Sequence, residues 1–210
     1  TNDEVSGFFF EDIFNPITGK LNKIITKGET DLFVYYSGHG MPQKDGNDVF
    51  LFPADGRLEM LEKQGYSLDT LYNNLDKLGA RSVTVILDAC FSGTSRATSN
   101  LVAENISNTK GVKIRPRKNQ PWNTNPNFRV LTSSKDDQTS LGFDDAQTGL
   151  FTYYFCLGLQ GEADLNMDKK ITLDELNAYL KVNVVETSRK IRGEQTPMLY
   201  GNGDMVIVEF

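Results

Sequence analysis

The chain has 210 residues, 39% apolar and 24% charged, with 22 basic against 28 acidic side chains and a formal net charge of −6. These proportions are those of an ordinary globular domain and exclude a disordered, collagenous or coiled-coil chain. The apolar runs are too short to span a bilayer, and the acidic balance argues against nucleic acid, whose phosphates are met by Lys and Arg.

One domain over residues 1–210 is the expectation, since a chain of this length buries about 70% of its unfolded surface without a disulfide or metal staple. Two cysteines, Cys90 and Cys156, are too few for a disulfide framework. Any imidazole chemistry falls to the single histidine, His39. The start at Thr1 rather than Met reads as a fragment or processed product, so a signal peptide is not addressed and a cytoplasmic location is the default.

In chain order, residues 1–30 offer Phe8-Phe9-Phe10 and one helix near Thr18 to Ile25. Asp31 to Tyr36 is a β-branched and aromatic run that reads as a buried strand, followed by the Gly-rich turn Ser37-Gly38-His39-Gly40. Val49 to Phe52, closed by Pro53, reads as a short hairpin strand. Leu68, Leu71, Leu75 and Leu78 recur at spacings of three and four, giving a helix with Ser67 as N-cap and Gly79 as C-cap. Ser82 to Leu87, ending at Asp88, reads as a central strand of a parallel sheet. Strand, helix and strand in succession are the pattern of an α/β fold.

Ser92 to Asn127 is long, polar and aperiodic, with Lys110, Lys113, Arg115, Arg117 and Lys118 among its residues. A connection of that length is a functional loop or a linker open to proteolysis. Phe128 to Thr132 reads as a strand, Gly149 to Leu159 and Leu173 to Val184 as helices, and Met205 to Val208 as the last strand. Cys156 falls in an apolar helical run and reads as core.

Two strand ends carry chemistry: Tyr36-Ser37-Gly38-His39-Gly40 and Leu87-Asp88-Ala89-Cys90-Phe91-Ser92-Gly93. In a parallel sheet the C-terminal strand ends gather at one edge, where ligands bind, so His39 and Cys90 can face each other. A free thiol is only slightly ionised at neutral pH. A neighbouring imidazole raises the thiolate fraction and can later protonate a leaving amine. The glycines let backbone N–H groups approach a carbonyl, and those of Gly40 and Cys90 are candidates for an oxyanion hole. The competing reading is a buried Cys beside a satisfied turn His.

Ser-Gly-His-Gly after an apolar strand, with Asp-Ala-Cys-Phe-Ser-Gly about fifty residues later, resembles the caspase-fold cysteine peptidases, and within them the metacaspases and bacterial metacaspase- or paracaspase-type proteases. Ser133 to Ser140, Gly149-Leu150-Phe151-Thr152 and Gln195-Thr196-Pro197 also fit, so the resemblance covers roughly residues 20–210. It implies an α/β/α sandwich around a mostly parallel six-stranded sheet, a Cys90 nucleophile and a His39 general acid/base. It divides the domain into a large-subunit-like part, about 1–95, a basic processing linker, 96–127, and a small-subunit-like part, 128–210. The usual first strand and helix are missing before Asp31.

Asp88 lies two residues before Cys90 and so shares its side of the strand. A carboxylate there repels acidic side chains and pairs with Arg or Lys. Caspases carry Gln in that place and cut after Asp; metacaspases and paracaspases resemble this chain and cut after basic residues. The expectation is therefore an endopeptidase acting on proteins or peptides with Arg or Lys before the scissile bond, with no nucleic-acid or membrane partner. The alternative is an Asp88 that caps the following helix. Ser133, Ser134 and Asp136 follow a strand of the same sheet and are candidate groove residues. The basic loop at 110–118 becomes a candidate self-cleavage site, and an N-terminal fragment or regulatory domain a candidate partner.

The chemistry requires no cofactor, but calcium is a candidate ion. Asp164, Asn166, Asp168, the Lys170 carbonyl, Thr172 and Glu175 stand at positions 1, 3, 5, 7, 9 and 12 of an EF-hand-like loop, with Lys169 where the sharp turn favours Gly. The alternative is an Asx turn between two helices. A second acidic set, Asp45, Asp48 and Asp55, follows the His motif. Two other functions compete with the protease: a catalytically silent caspase-like binding module, against which the intact Cys–His pair counts, and a calcium-binding regulator. A serine hydrolase is disfavoured because Ser37 and Ser92 lack a Gly-x-Ser-x-Gly elbow.

Overall fold

The computed structural model describes residues 7–43, 46–53, 56–91, 119–191 and 193–210. Its frame is three strands built from the apolar runs: β1 (Asp31–Pro42), β4 (Ser82–Cys90) and β5 (Phe128–Thr132). They run parallel, with β4 between the other two. Residues 82–89 of β4 are buried on both faces, which is why the run is apolar without alternation. The shorter strands flank them in antiparallel pairs. β2 (Val49–Phe52) joins the C-terminal end of β1, β3 (Tyr66–Ser67) joins β2, and β9 (Met198–Tyr200) closes the far side against β5.

The six-stranded sheet, order β3-β2-β1-β4-β5-β9, matches the expected strand count, but its last strand is not the expected one. Met205 to Val208 falls instead at β10 (Val206–Glu209), which pairs with β8 (Lys170–Thr172) in a separate ribbon. Gly201 separates the two segments: at φ +90°, with space for a Cβ only 2.5 Å from the Phe128 carbonyl oxygen, it turns the chain out of the sheet.

Helices cover both faces. On one, α1 (Gly7–Phe14) and α4 (Leu68–Lys77) bring Phe14, Leu68, Leu71, Tyr72 and Leu75 onto Val83, Val85 and Leu87. On the other, α5 (Leu150–Leu157) and α6 (Leu173–Lys190) bring Leu150, Phe151, Phe155, Leu176, Leu180 and Val184 onto Ile86 and Leu131. The result is an α/β/α sandwich. The helix α1 was read only as an apolar run; Phe10 and Phe14 hold it by ring contacts to Tyr66, and Phe10 also meets Tyr36. Cys156 is a correction: it is exposed, because Phe155 takes the core-facing position of that turn and the next residue rotates outward. Among the described residues, Asp31 to Gly38 of β1 pair with β4 alone, and Phe33 and Tyr35 are exposed there. No helix among the described residues is long and apolar enough to cross a membrane.

The Ser67 cap forms as read: its Oγ accepts the Thr70 N–H at 3.1 Å, and its hydroxyl donates to Asp48 at 2.5 Å. Ser67→Ala removes both bonds, and its expected cost is about 1–2 kcal/mol of folding stability, read as a lower midpoint in urea denaturation at unchanged slope.

Candidate active site

The pairing of β1 with β4 sets Ser37 opposite Asp88 and His39 opposite Cys90. Facing partners in a sheet share a face, and neighbouring strands lie about 4.8 Å apart. Two residues distant in sequence therefore become adjacent at the C-terminal edge of the sheet. Alternation along β4 sends Val83, Val85 and Leu87 into the core beneath α1 and α4, so Ile86 and Asp88 belong to the side of α5 and α6. A one-residue slip would invert every one of these positions and bury the Asp88 carboxylate in the apolar core beneath α1 and α4.

Ser37–Gly40, expected as a turn, is strand instead, because its pairing with β4 continues to His39, and Tyr36 fixes this part of β1. Its hydroxyl donates to the His39 carbonyl at 2.9 Å and to the Phe52 carbonyl at 3.4 Å. Burial pushes the Tyr36 phenol above its ordinary pKa, so it remains a donor at neutral pH. Gly38 makes this possible, since a Cβ there would lie 2.6 Å from the Tyr36 hydroxyl oxygen. Gly40 is paired opposite Leu51 of β2. The Gln43 N–H donates to the Asp48 carbonyl at 2.8 Å. The alternation of an antiparallel ladder then turns Met41 and His39 toward β2 and the Gly40 N–H toward β4, the side of Cys90. That direction suits the oxyanion role expected of Gly40.

Asp88 is completely buried. Its Oδ1 accepts the Ser140 hydroxyl at 2.6 Å and its Oδ2 the Thr152 hydroxyl at 2.5 Å. Behind them, the Tyr35 hydroxyl lies 2.7 Å from Thr152 Oγ1, and Gln195 Nε2 donates to Ser140 Oγ at 3.4 Å and to the Ser133 carbonyl at 3.0 Å. Sequence reasoning singled out Asp88 but gave no role to Ser140, Thr152 or Gln195. The available signal was that all three stand in the segments that resembled the caspase-fold peptidases.

Ser133 and Ser134 differ from expectation. Both are buried, and their hydroxyls donate to the Ala89 and Gln138 carbonyls, each at 3.4 Å, so they brace the turn after β5 rather than present hydroxyls to a groove. Asp136 is exposed in that turn.

In the EF-hand-like loop the acidic side chains make Asx-type turns. Asp164 accepts the Asp168 and Lys169 N–H groups at 3.1 and 3.0 Å, Asn166 accepts the Asp168 N–H at 2.8 Å, and Asp168 accepts the Lys170 N–H at 2.9 Å. Lys169 does take the left-handed turn, at φ +67°. Thr172 and Glu175 form the capping box of α6, and Lys170 pairs with Glu209. Among the described residues no group of three or more His, Cys, Asp or Glu side chains is placed to hold a metal ion. Asp48 accepts the Val49 N–H and the Ser67 hydroxyl, while Asp45 and Asp55 lie outside the described residues. So do Lys110, Lys113, Arg115, Arg117 and Lys118 of the basic loop.

Because Gly38 alone leaves room for the Tyr36 hydroxyl, Gly38→Ala displaces it from the His39 carbonyl. The expected loss is about 1–3 kcal/mol of stability, measured by urea denaturation; Gly203→Ala, in the loop before β10, is a poor control because a Cβ there also clashes, with Asp174.

The family model for the caspase domain matches residues 17–203. Among solved structures, the chain is similar to protein GSU0716 from Geobacter sulfurreducens, at 20% identity and a TM-score of 0.50, over 88% of this chain and 72% of that one. It is likewise similar to caspase-1 from Spodoptera frugiperda, at 14% identity and a TM-score of 0.50, over 90% and 69%. These two likenesses speak to the fold. No curated protein matches. With the match spanning most of the chain, and His39 opposite Cys90 at the edge of a six-stranded α/β sheet, the protein belongs to the caspase-domain family.

Proposed function

We propose that this chain is a cysteine endopeptidase that cleaves after Arg or Lys. The observation that carries the reading is the parallel register that makes His39 and Cys90 cross-strand neighbours. In the proposed reaction the substrate's basic side chain pairs with Asp88. The Cys90 thiolate attacks the adjoining carbonyl carbon, and the Gly40 and Cys90 amides hold the resulting oxyanion. His39 protonates the departing amine; it then acts as base for the water that hydrolyses the thioester. No cofactor enters these steps.

The preference for basic residues is supported by the chemistry of Asp88, a carboxylate two residues before the nucleophile. In this reading the part of the domain up to about residue 95 supplies the dyad. The part from 128 onward supplies Ser140, Thr152 and Gln195 around Asp88. The stretch 96–127 is the processing linker between them.

Paired fluorogenic peptides ending in Arg, Lys or Asp test the proposal. The expected result is cleavage after Arg and Lys, abolished in Cys90→Ala, and reduced on the order of a hundredfold in Asp88→Asn, because that change removes one partner of a desolvated charge pair. Cleavage after Asp would overturn the assigned preference. Absence of any cleavage would favour the silent binding module.

A basic-specific protease with Lys110, Lys113, Arg115, Arg117 and Lys118 in one segment is its own substrate. Purified wild-type protein is expected to yield two fragments with a new N-terminus within 111–119, and Cys90→Ala to remain one band on a denaturing gel.

A further inference from the structure

A carboxylate that recognises a planar guanidinium must have its own plane fixed, whereas an ammonium is recognised as a point charge and tolerates rotation. The plane of Asp88 is held at both oxygens by hydroxyls. A hydroxyl rotates about its C–O bond and carries one proton, so its direction needs a second partner.

For Thr152 that partner is Tyr35. The Thr152 proton goes to Asp88 Oδ2, and the 2.7 Å contact therefore has Tyr35 Oη as donor and Thr152 Oγ1 as acceptor. Tyr35 is well placed to hold it. It lies on β1 four residues before His39, on the same face, and its ring stacks on Phe155 of α5 with centroids 6.2 Å apart. For Ser140 the partner is Gln195. The Leu141 N–H donates to Gln195 Oε1 at 2.8 Å, which orients the carboxamide so that Nε2 points to Ser140 Oγ and the Ser133 carbonyl. Each relay is unidirectional and ends on Asp88.

We infer that Tyr35, acting through Thr152, is a positioning residue that fixes the plane of the Asp88 carboxylate and so gives the protease a preference for Arg over Lys. The inference rests on the proposed role of Asp88 in the primary specificity pocket. Tyr35 touches neither substrate nor reacting atoms in this scheme, and the residue is 43% exposed, so loss of the hydroxyl leaves the fold intact.

The test is steady-state kinetics on matched Arg and Lys peptides with wild type, Tyr35→Phe, Thr152→Val and Thr152→Ser, with an unchanged melting temperature required of Tyr35→Phe, the decisive variant. Thr152→Val, which removes a hydrogen bond to the carboxylate itself, is expected to raise KM for the Arg peptide at least tenfold, and Tyr35→Phe, which removes a bond between two neutral hydroxyls, about fivefold. KM for the Lys peptide rises less, kcat changes little, and the Arg-to-Lys ratio of kcat/KM collapses toward one. Thr152→Ser restores the hydroxyl and the preference. The inference is overturned if Tyr35→Phe keeps the wild-type KM and Arg-to-Lys ratio, or if it lowers kcat equally on both peptides. A wild type that cleaves neither peptide is a different result: it overturns the basic-specific reading itself, and the inference with it.

Discussion

Nine consecutive residue pairs join β1 to β4, from Asp31 opposite Ser82 to His39 opposite Cys90, and every feature of the site depends on that parallel register. The pairing is not chosen by His39 and Cys90. It is fixed upstream, where Val83, Val85 and Leu87 must enter one core and Ile86 the other. A one-residue slip would exchange the side chains of the two cores and carry the Asp88 carboxylate from its hydroxyl partners into the apolar core beneath α1 and α4. The sheet therefore delivers a histidine and a cysteine to neighbouring positions by means of residues that take no part in the chemistry.

The same geometry explains how Asp88 is tolerated. A carboxylate with no exposure to solvent is costly unless its oxygens receive hydrogen bonds. Ser140 and Thr152 supply them, from the loop after β5 and from the first turn of α5. These are also the elements that pack on Ile86 and Leu131, so the apolar core on that side carries the hydroxyls to the carboxylate. Tyr35 links the arrangement back to β1, the strand that holds His39. The core, Asp88 and the strand of His39 are thus tied through one layer of the sandwich.

What was legible in the sequence follows from the range of the interactions involved. The strands at 49–52 and 128–132, and the Ser67 cap, are decided by neighbouring residues and could be read directly. The His39–Cys90 pair was legible because two strand ends in one parallel sheet must share an edge. The partners of Asp88 were legible only as members of segments that resembled the family, because Ser140 and Thr152 lie 52 and 64 residues away and no local pattern ties a hydroxyl to a distant carboxylate. The last strand was misplaced because Met198–Tyr200 and Val206–Glu209 are both short and apolar; only the turn at Gly201 and the partner waiting at Lys170–Thr172 decide which joins the main sheet. The acidic loop at 164–175 was ambiguous for a physical reason: the oxygens that suit a cation also suit the loop's own N–H groups, and it is those that they accept from.

The most direct measurement is the pH dependence of Cys90 alkylation by iodoacetamide, followed by mass spectrometry in a Cys156→Ser background that removes the exposed second thiol. If the register makes His39 and Cys90 a working pair, Cys90 reacts with a midpoint below the free-thiol value of about 8.5, and His39→Ala moves that midpoint upward. Superimposable profiles for the two proteins would show that the neighbouring positions do not couple, and would contradict the assignment of the pair as a catalytic dyad.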